Sequence, residues 1–212
     1  MELSVKESPV ARLASAAIAL GGVTGAAFVI VSRGELVGAL AMLDRRWMIA
    51  HNLHFISGAL LLFGVVGLYM AHAPRMGVGG HFAFVLGLLG TGFYFAMGVI
   101  TAAVLPFIAG TSPFAVAANG PLFSPPLPIF AVSAITFSLG WFSLGAVTAR
   151  AGIFPAWTGW MVAAGALITA VPPRPFGSAP WIVMDIGWLV MALGMVGIGV
   201  HGWRTASPGR AT

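Results

Sequence analysis

Long uninterrupted runs of apolar residues, separated by short polar or charged breaks, occupy most of this chain. A helix needs about 20 mostly apolar residues to cross the hydrocarbon part of a bilayer, and six runs reach that length. They cover residues 11–32, 48–71, 81–106, 126–149, 153–172 and 179–202. The pattern therefore predicts an all-α, polytopic transmembrane bundle of six helices that forms one integral membrane domain over residues 1–212.

Composition agrees with lipid as the surrounding solvent. Only 7% of the residues are charged, whereas a soluble domain carries about 25%. A transmembrane β-barrel would show segments of about 10 residues with alternating hydrophobicity, and the apolar runs here are continuous. The lipid bilayer is the predicted partner, and nucleic acid is not, because the net charge of +5 is not gathered into basic runs. The chain contains no Cys, which excludes disulfides and thiolate chemistry.

The distribution of Lys and Arg predicts the orientation. With both termini on the inner side, the inner set is Lys6, Arg12, Arg75, Arg150, Arg204 and Arg210, and the outer set is Arg33, Arg45, Arg46 and Arg174. Because basic residues favour the cytoplasmic side, the chain is predicted to be a multi-pass cell-membrane protein with cytoplasmic N- and C-termini. The first apolar run exceeds the 7–15 residues of a signal peptide, which favours an uncleaved first helix.

Two connections and a set of glycines add detail to this topology. Residues 33–47 mix charged and apolar residues and could lie along the membrane interface, while residues 106–128 predict a long Pro/Gly-rich outer loop that covers a site or only connects helices. Gly21 and Gly25 form a small-xxx-small pair. Such small faces favour close helix packing, either within the chain or with a second copy or another membrane subunit.

One group of polar residues falls inside the predicted spans. His51, His54 and Ser57 recur at helical spacing and share a face of the second helix, and Asp185 is the acidic residue deep in the sixth. Ionisable groups within a bilayer are costly and usually face a partner or a cavity, so we expect His54 to pair with Asp185. Two other interpretations stay open: a purely structural hydrogen bond, or a solvated His51. Asn52, Tyr94 and Arg174 could complete the rim or floor.

The second and third helices resemble a known enzyme family. The spacing of Trp47, His51, Ser57 and Gly58, followed by the segment 92–94 (Gly-Phe-Tyr), is similar to styrene oxide isomerases. The resemblance implies a heme b held by His51 and acting as a Lewis acid on a small hydrophobic epoxide, with Ser57 and Tyr94 beside the substrate. That family has Asn at the Ser57 position and four spans. The candidate catalytic residues are thus Tyr94, Ser57 and Asp185, and the candidate cofactor-binding residues are His51 and His54.

A second resemblance covers more of the chain. The segments 140–145 (GWFSLG) and 150–160 (RAGIFPAWTGW) are similar to small bacterial six-span membrane proteins of unknown function. Within the second segment, Gly152 and Pro155 are expected to end one helix and begin the next. This resemblance implies membership and no activity.

Three functions remain open at this point. The first is a non-catalytic or accessory membrane subunit with an outward-facing polar pocket, the second a heme-dependent isomerase, and the third a small-solute transporter. Whether the chain is an enzyme is left open. No nucleophile elbow, phosphate loop or His-Glu-x-x-His sequence occurs, and no metal site is predicted.

Overall fold

The computed structural model describes residues 9–33, 38–75, 77–117, 120–122, 128–170 and 179–206, and all regular structure in these ranges is helical. The α-helices are α1 (Pro9–Ser32), α2 (Ala39–Met42), α3 (Arg45–His72), α4 (Val78–Val99), α5 (Leu105–Thr111), α6 (Pro128–Ala151), α7 (Ala156–Thr169) and α8 (Ala179–Thr205). A π-helical stretch, Ile100–Val104, joins α4 to α5, and short 3-10 turns follow α3 and α5. The predicted all-α class is therefore confirmed.

Five helical segments in the described residues are long and apolar enough to cross a membrane: Pro9–Ser32, Arg45–His72, Val78–Thr111, Ala131–Ala151 and Ile182–Thr205. The predicted fifth span, 153–172, appears instead as α7, an apolar helix of 14 residues. At about 1.5 Å per residue it is about 21 Å long, shorter than the ~30 Å hydrocarbon core. The turn before Pro155 delays the start of α7. Six full-length spans were therefore predicted, but only five are found in the described residues.

Local chemistry explains the helix ends. Asp44 caps α3 by accepting a hydrogen bond from the Arg46 backbone nitrogen at 2.7 Å, so α3 begins three residues before the predicted position 48. Gly152, with a left-handed φ of 65°, follows α6, and Pro155 precedes α7 as expected.

The third span continues further than its sequence suggests. The sequence predicts an end at residue 106, but the helix continues through Pro106, which lies at the start of α5, just beyond the π-helical stretch. Beyond Pro106, the described part of the predicted loop 106–128 folds into α5 and the turn Pro113–Val116. Buried Val116 packs in one cluster with Met42 of α2 and Trp47 of α3. This segment therefore covers the start of α3. Residues 118–119, 123–127 and 34–37 lie outside the described residues.

The helices pack in a closed ring that follows the chain. Each of α1, α3, α4, α6, α7 and α8 packs against the helix before it and the helix after it, and α8 returns to α1. At the closure, the Arg12 Nε donates a hydrogen bond to the Ala206 carbonyl at 2.8 Å. The start of α1 and the end of α8 therefore lie at the same end of the bundle.

The glycine pair of the first helix serves packing inside the chain. A Cβ on Gly21 would lie 2.8 Å from the Leu61 side chain, and one on Gly25 would lie 2.6 Å from the Trp188 ring. Both glycines are buried against α3 and α8. Their small surface is thus used by neighbouring helices of the same chain and is not available to a second copy.

Candidate functional site

Five aromatic rings from five helices meet in the middle of the ring of helices. The His54 ring of α3 stacks on the Phe28 ring of α1, with centroids 4.6 Å apart. The centroid of the Tyr94 ring of α4 lies 4.2 Å from that of His54. Tyr94 in turn contacts Phe137 of α6 at 4.6 Å and Trp188 of α8 at 5.4 Å. Helices that are distant in the sequence therefore converge on the His54–Tyr94 contact, which lies near the centre of the bundle.

His51 lies one turn closer to the start of α3 and extends the same stack. Its ring is 4.0 Å from Trp47 and 5.5 Å from Phe28, and its centroid is 6.3 Å from that of His54. The Trp47 ring is fixed by a 2.9 Å hydrogen bond from its Nε1 to the Thr101 carbonyl, in the π-helical stretch. The shared face predicted for the two histidines is confirmed, since both are 7% exposed.

The polar atoms at the centre of this stack lack normal hydrogen bonds. Neither the ring nitrogens of His54 nor the Tyr94 hydroxyl make a hydrogen bond of normal geometry within the described residues, although the His54 ring lies within interaction range of the Tyr94 backbone. Ser57 is within interaction range of that hydroxyl; its Oγ donates to the Gly21 carbonyl at 2.8 Å and can still accept a bond from Tyr94. Leaving a buried polar group unsatisfied costs about 1–3 kcal/mol, and most such groups in proteins are paired. The buried polar atoms of the His54–Tyr94 contact are therefore weakly hydrogen-bonded in this conformation.

Solvent does not relieve this deficit. Each of the orphaned atoms on His54 and Tyr94 has less than 1 Å² of accessible surface, so a water molecule does not fit against it. His54 follows Arg45 by nine residues, which places it about 14 Å along α3. The His54–Tyr94 contact is therefore dry and lies well inside the bundle.

Asp185 has a different partner from the predicted one. Arg33 donates from Nε to the Asp185 Oδ2 at 2.7 Å and also from a terminal nitrogen. The Asp185 side chain is 6% exposed and that of Arg33 58%, so the pair joins the interior to the bundle surface. The predicted His54–Asp185 pairing is wrong because α1 packs directly on α8 and brings a permanently charged group to the carboxylate.

A double-mutant cycle should separate the two pairings. Arg33→Gln and Asp185→Asn should couple by about 0.5–1 kcal/mol in unfolding free energy, a modest value because Arg33 is largely exposed to solvent. His54→Ala and Asp185→Asn should instead add to within about 0.5 kcal/mol, since no shared contact joins them. Thermal or denaturant unfolding in detergent measures both cycles. Strong coupling of His54 with Asp185 would restore the predicted pairing.

Other residues at this end of the bundle hold the helix ends. Arg46 donates to the Val31 carbonyl at 2.7 Å and to the Arg33 carbonyl at 2.6 Å, and so satisfies free carbonyls at the end of α1. Asn52 is exposed and its side-chain amide donates to the Met48 carbonyl at 2.7 Å, so it does not join the site. Arg174 lies outside the described residues.

The arrangement does not fit a heme at His51. An axial imidazole needs an accessible ring nitrogen with room for a porphyrin beside it, but both His51 nitrogens have less than 1 Å² of accessible surface. Trp47 and Phe28 contact the same ring. Within the described ranges, moreover, no three His, Asp or Glu side chains are grouped as metal ligands. No chemical step through a heme is derived from this structure.

The aromatic partners of the site could not be singled out from the sequence. Phe28, Phe137 and Trp188 lie in apolar runs, where a ring that lines a site and a ring that packs between helices produce the same pattern. Comparison of the chain with protein-family models, curated proteins and solved structures found no significant match. The two family resemblances therefore stay predictions, and the function is inferred from the site.

Proposed function

We propose that this chain is a six-span, non-catalytic membrane subunit that binds a small, membrane-soluble ligand in a conformation in which the rings of His54 and Tyr94, which touch here, have moved apart. The observation that carries the proposal is the contact of their rings at 4.2 Å, with the hydrogen-bonding atoms buried and without a hydrogen bond of normal geometry among the described residues. A ligand that supplied those bonds would remove a cost of about 1–3 kcal/mol per group. Ligand binding and the stability of the bundle would thus be coupled.

The chemistry of the walls defines the class of ligand. A neutral imidazole offers one donor and one acceptor, and a phenol offers both in one group. The surrounding faces are the rings of Phe28, Phe137 and Trp188, which favour a flat apolar body. The expected ligand is therefore a small aromatic or unsaturated molecule with one hydroxyl or carbonyl group, arriving from the lipid phase.

A pair of probe compounds tests this proposal. 4-Ethylphenol carries the required hydroxyl on a flat apolar body, and ethylbenzene is the matched control without it. At about ten times its Kd, a ligand specific for the folded state adds about 1.4 kcal/mol of stability, which raises the Tm by several degrees. We expect this shift with 4-ethylphenol alone, and its loss in both His54→Phe and Tyr94→Phe. Equal shifts with both compounds, or a shift that persists in the variants, would overturn the proposal.

The positions of the two ends of the bundle require an even number of membrane crossings and so support six. Five crossings would place the start of α1 and the end of α8 on opposite sides of the membrane, whereas Arg12 bonds to Ala206. A sixth crossing by α7 restores the parity, and α7 packs between the crossing helices α6 and α8. The positive-inside rule then assigns the end that carries Arg12, Arg150 and Arg204 to the cytoplasm and the His54 half to the outside.

Single-cysteine labelling checks this topology cleanly because the chain has no Cys of its own. Ser112 is exposed at the end of α5, and Gly77 precedes α4 with nothing within 4 Å of an added Cβ. In intact cells a membrane-impermeant maleimide should label Ser112→Cys, and should label Gly77→Cys only after permeabilisation. The reverse pattern would invert the topology, and labelling of both in intact cells would contradict a crossing by the segment Val78–Thr111.

Passage of a small solute is the second candidate function, favoured by one observation. The π-helical stretch Ile100–Val104 lies just beyond Tyr94 and anchors Trp47 through the Thr101 carbonyl. Single π-turns inside α-helices occur frequently at functional sites, and here a local rewinding would move Trp47 and uncover His51. Proteoliposomes that take up 4-ethylphenol no faster than protein-free vesicles would exclude this role.

A further inference from the structure

A groove lies at the opposite end of the bundle from Asp185, between α1, α3 and α8. Its wider part has a volume of about 300 Å³, and an adjoining part between α1, α3 and α4 has about 250 Å³. The two parts share Val10, Ala14, Gly67 and Met70, and the second continues to Leu62 and Leu88. The two parts therefore adjoin at the contact between α1 and α3, and together they are called the slot.

The slot changes character along its length. From Met70 to Leu62 it follows eight residues of α3, about 12 Å, and this deep part is lined only by apolar side chains and glycine. At the mouth, the lining includes Ser15 and Thr205. A narrow apolar slot with a hydrophilic mouth at the membrane boundary matches an amphiphile with an extended hydrocarbon tail.

The charge at the mouth specifies the head group. The Arg12 Nε donates to the carbonyl of Ala206, a lining residue, and so fixes one guanidinium beside the mouth. Guanidinium groups recognise phosphate oxygens through charge-assisted hydrogen bonds.

We propose that this groove binds one anionic phospholipid, with an acyl chain in the slot and the phosphate at Arg12. The site is separate from the His54–Tyr94 contact, because neither residue lines the groove. Anionic lipids are concentrated in the cytoplasmic leaflet, which is the leaflet that the basic end of this chain is predicted to face. The lipid would hold α1, α3 and α8 together where the ring of helices closes.

Native mass spectrometry of the full chain in detergent tests this site. With dioleoylphosphatidylglycerol, we expect one retained lipid per chain, at least fivefold more than with dioleoylphosphatidylcholine. Arg12→Gln should reduce retention at least fivefold, and the matched Arg45→Gln, at the other end of the bundle, should not. Ala71→Phe should block the groove because Ala71 lines its mouth, whereas Ala59→Phe, on an exposed position of the same helix, should behave as the parent chain.

Thermal unfolding with phosphate and with lipid distinguishes a lipid site from a simple anion site. Inorganic phosphate alone should leave the Tm unchanged, since the slot requires a hydrocarbon chain, and phosphatidylglycerol should raise it in the parent chain only. Equal retention of the two lipids, undiminished retention in Ala71→Phe with an unchanged Tm, or full stabilisation by inorganic phosphate would each overturn the proposal. Because Ala71 and Ala59 are both exposed, both variants should fold, and their size-exclusion profiles verify this.

Discussion

A Gly90→Val variant should lose the folded bundle. Gly90 is buried where α4 crosses α6, and a Cβ at this position would lie 2.3 Å from the Thr136 carbonyl oxygen and 2.7 Å from the Phe137 Cα. These are backbone atoms, so no side-chain rotation can relieve the clash and the two helices must separate. We expect a loss of about 3 kcal/mol, at the upper end of the usual cost of overpacking, and displacement of Phe137 from Tyr94.

Gly92→Val is the matched control for this experiment. It lies two residues away on the same helix, and nothing lies within 4 Å of an added Cβ. Both substitutions change backbone propensity in the same way, so their difference isolates the helix crossing. Fluorescence-detected size exclusion after a temperature ramp should show an early loss of the monodisperse peak for Gly90→Val only. Similar profiles for the two variants would contradict the packing of α4 on α6.

Replacing His54 by Phe should stabilise the protein. Phe keeps a flat ring against Phe28 and Tyr94 but removes two buried nitrogens that make no hydrogen bond of normal geometry among the described residues. Eliminating unsatisfied polar groups should raise the free energy of unfolding by about 1–3 kcal/mol, with loss of the 4-ethylphenol response. Such a gain in stability with loss of function is expected where a site is kept strained for binding.

Its control is His81→Phe. His81 is exposed near the start of α4, and its Nδ1 lies 3.1 Å from the Gly77 carbonyl, so its replacement should change stability by less than about 0.5 kcal/mol. Comparing the stability of Tyr94→Phe with that of Tyr69→Phe repeats the test, because each variant removes a single hydroxyl group. If His54→Phe were instead destabilising by the amount typical of a core substitution, His54 would have to be a satisfied structural residue, and the proposed pocket would be withdrawn.

The helical architecture follows from the sequence because lipid-exposed backbone must satisfy its own hydrogen bonds. Continuous apolar runs therefore specify helices directly, as seen in α1, α3 and α8. The deviations occur where local chemistry decides. Asp44 caps α3 early, the π-helical stretch carries the third span past Pro106, and the turn before Pro155 shortens α7. Hydropathy is insensitive to all three effects.

The candidate site was predictable only where it depends on one helix. Helical periodicity places His51, His54 and Ser57 on one face, and the structure buries all three. The partner of Asp185 depends on α1 packing against α8 and on a residue just beyond the last turn of α1, and neither is encoded by spacing within a helix. The heme implied by the family resemblance depended on an open imidazole edge, whereas tight packing closes that edge at His51.

Nitrogen NMR of the histidine rings shows whether His54 binds the ligand. In ¹⁵N-histidine-labelled protein in detergent, the resonances of His54 are assigned by their loss in His54→Phe. We expect them to report a ring without strong hydrogen bonds in the free protein, and to shift on addition of 4-ethylphenol but not of ethylbenzene, while His81 stays unchanged. A His54 ring that is already hydrogen-bonded without ligand, and that does not respond at saturating 4-ethylphenol, would contradict a binding site between His54 and Tyr94.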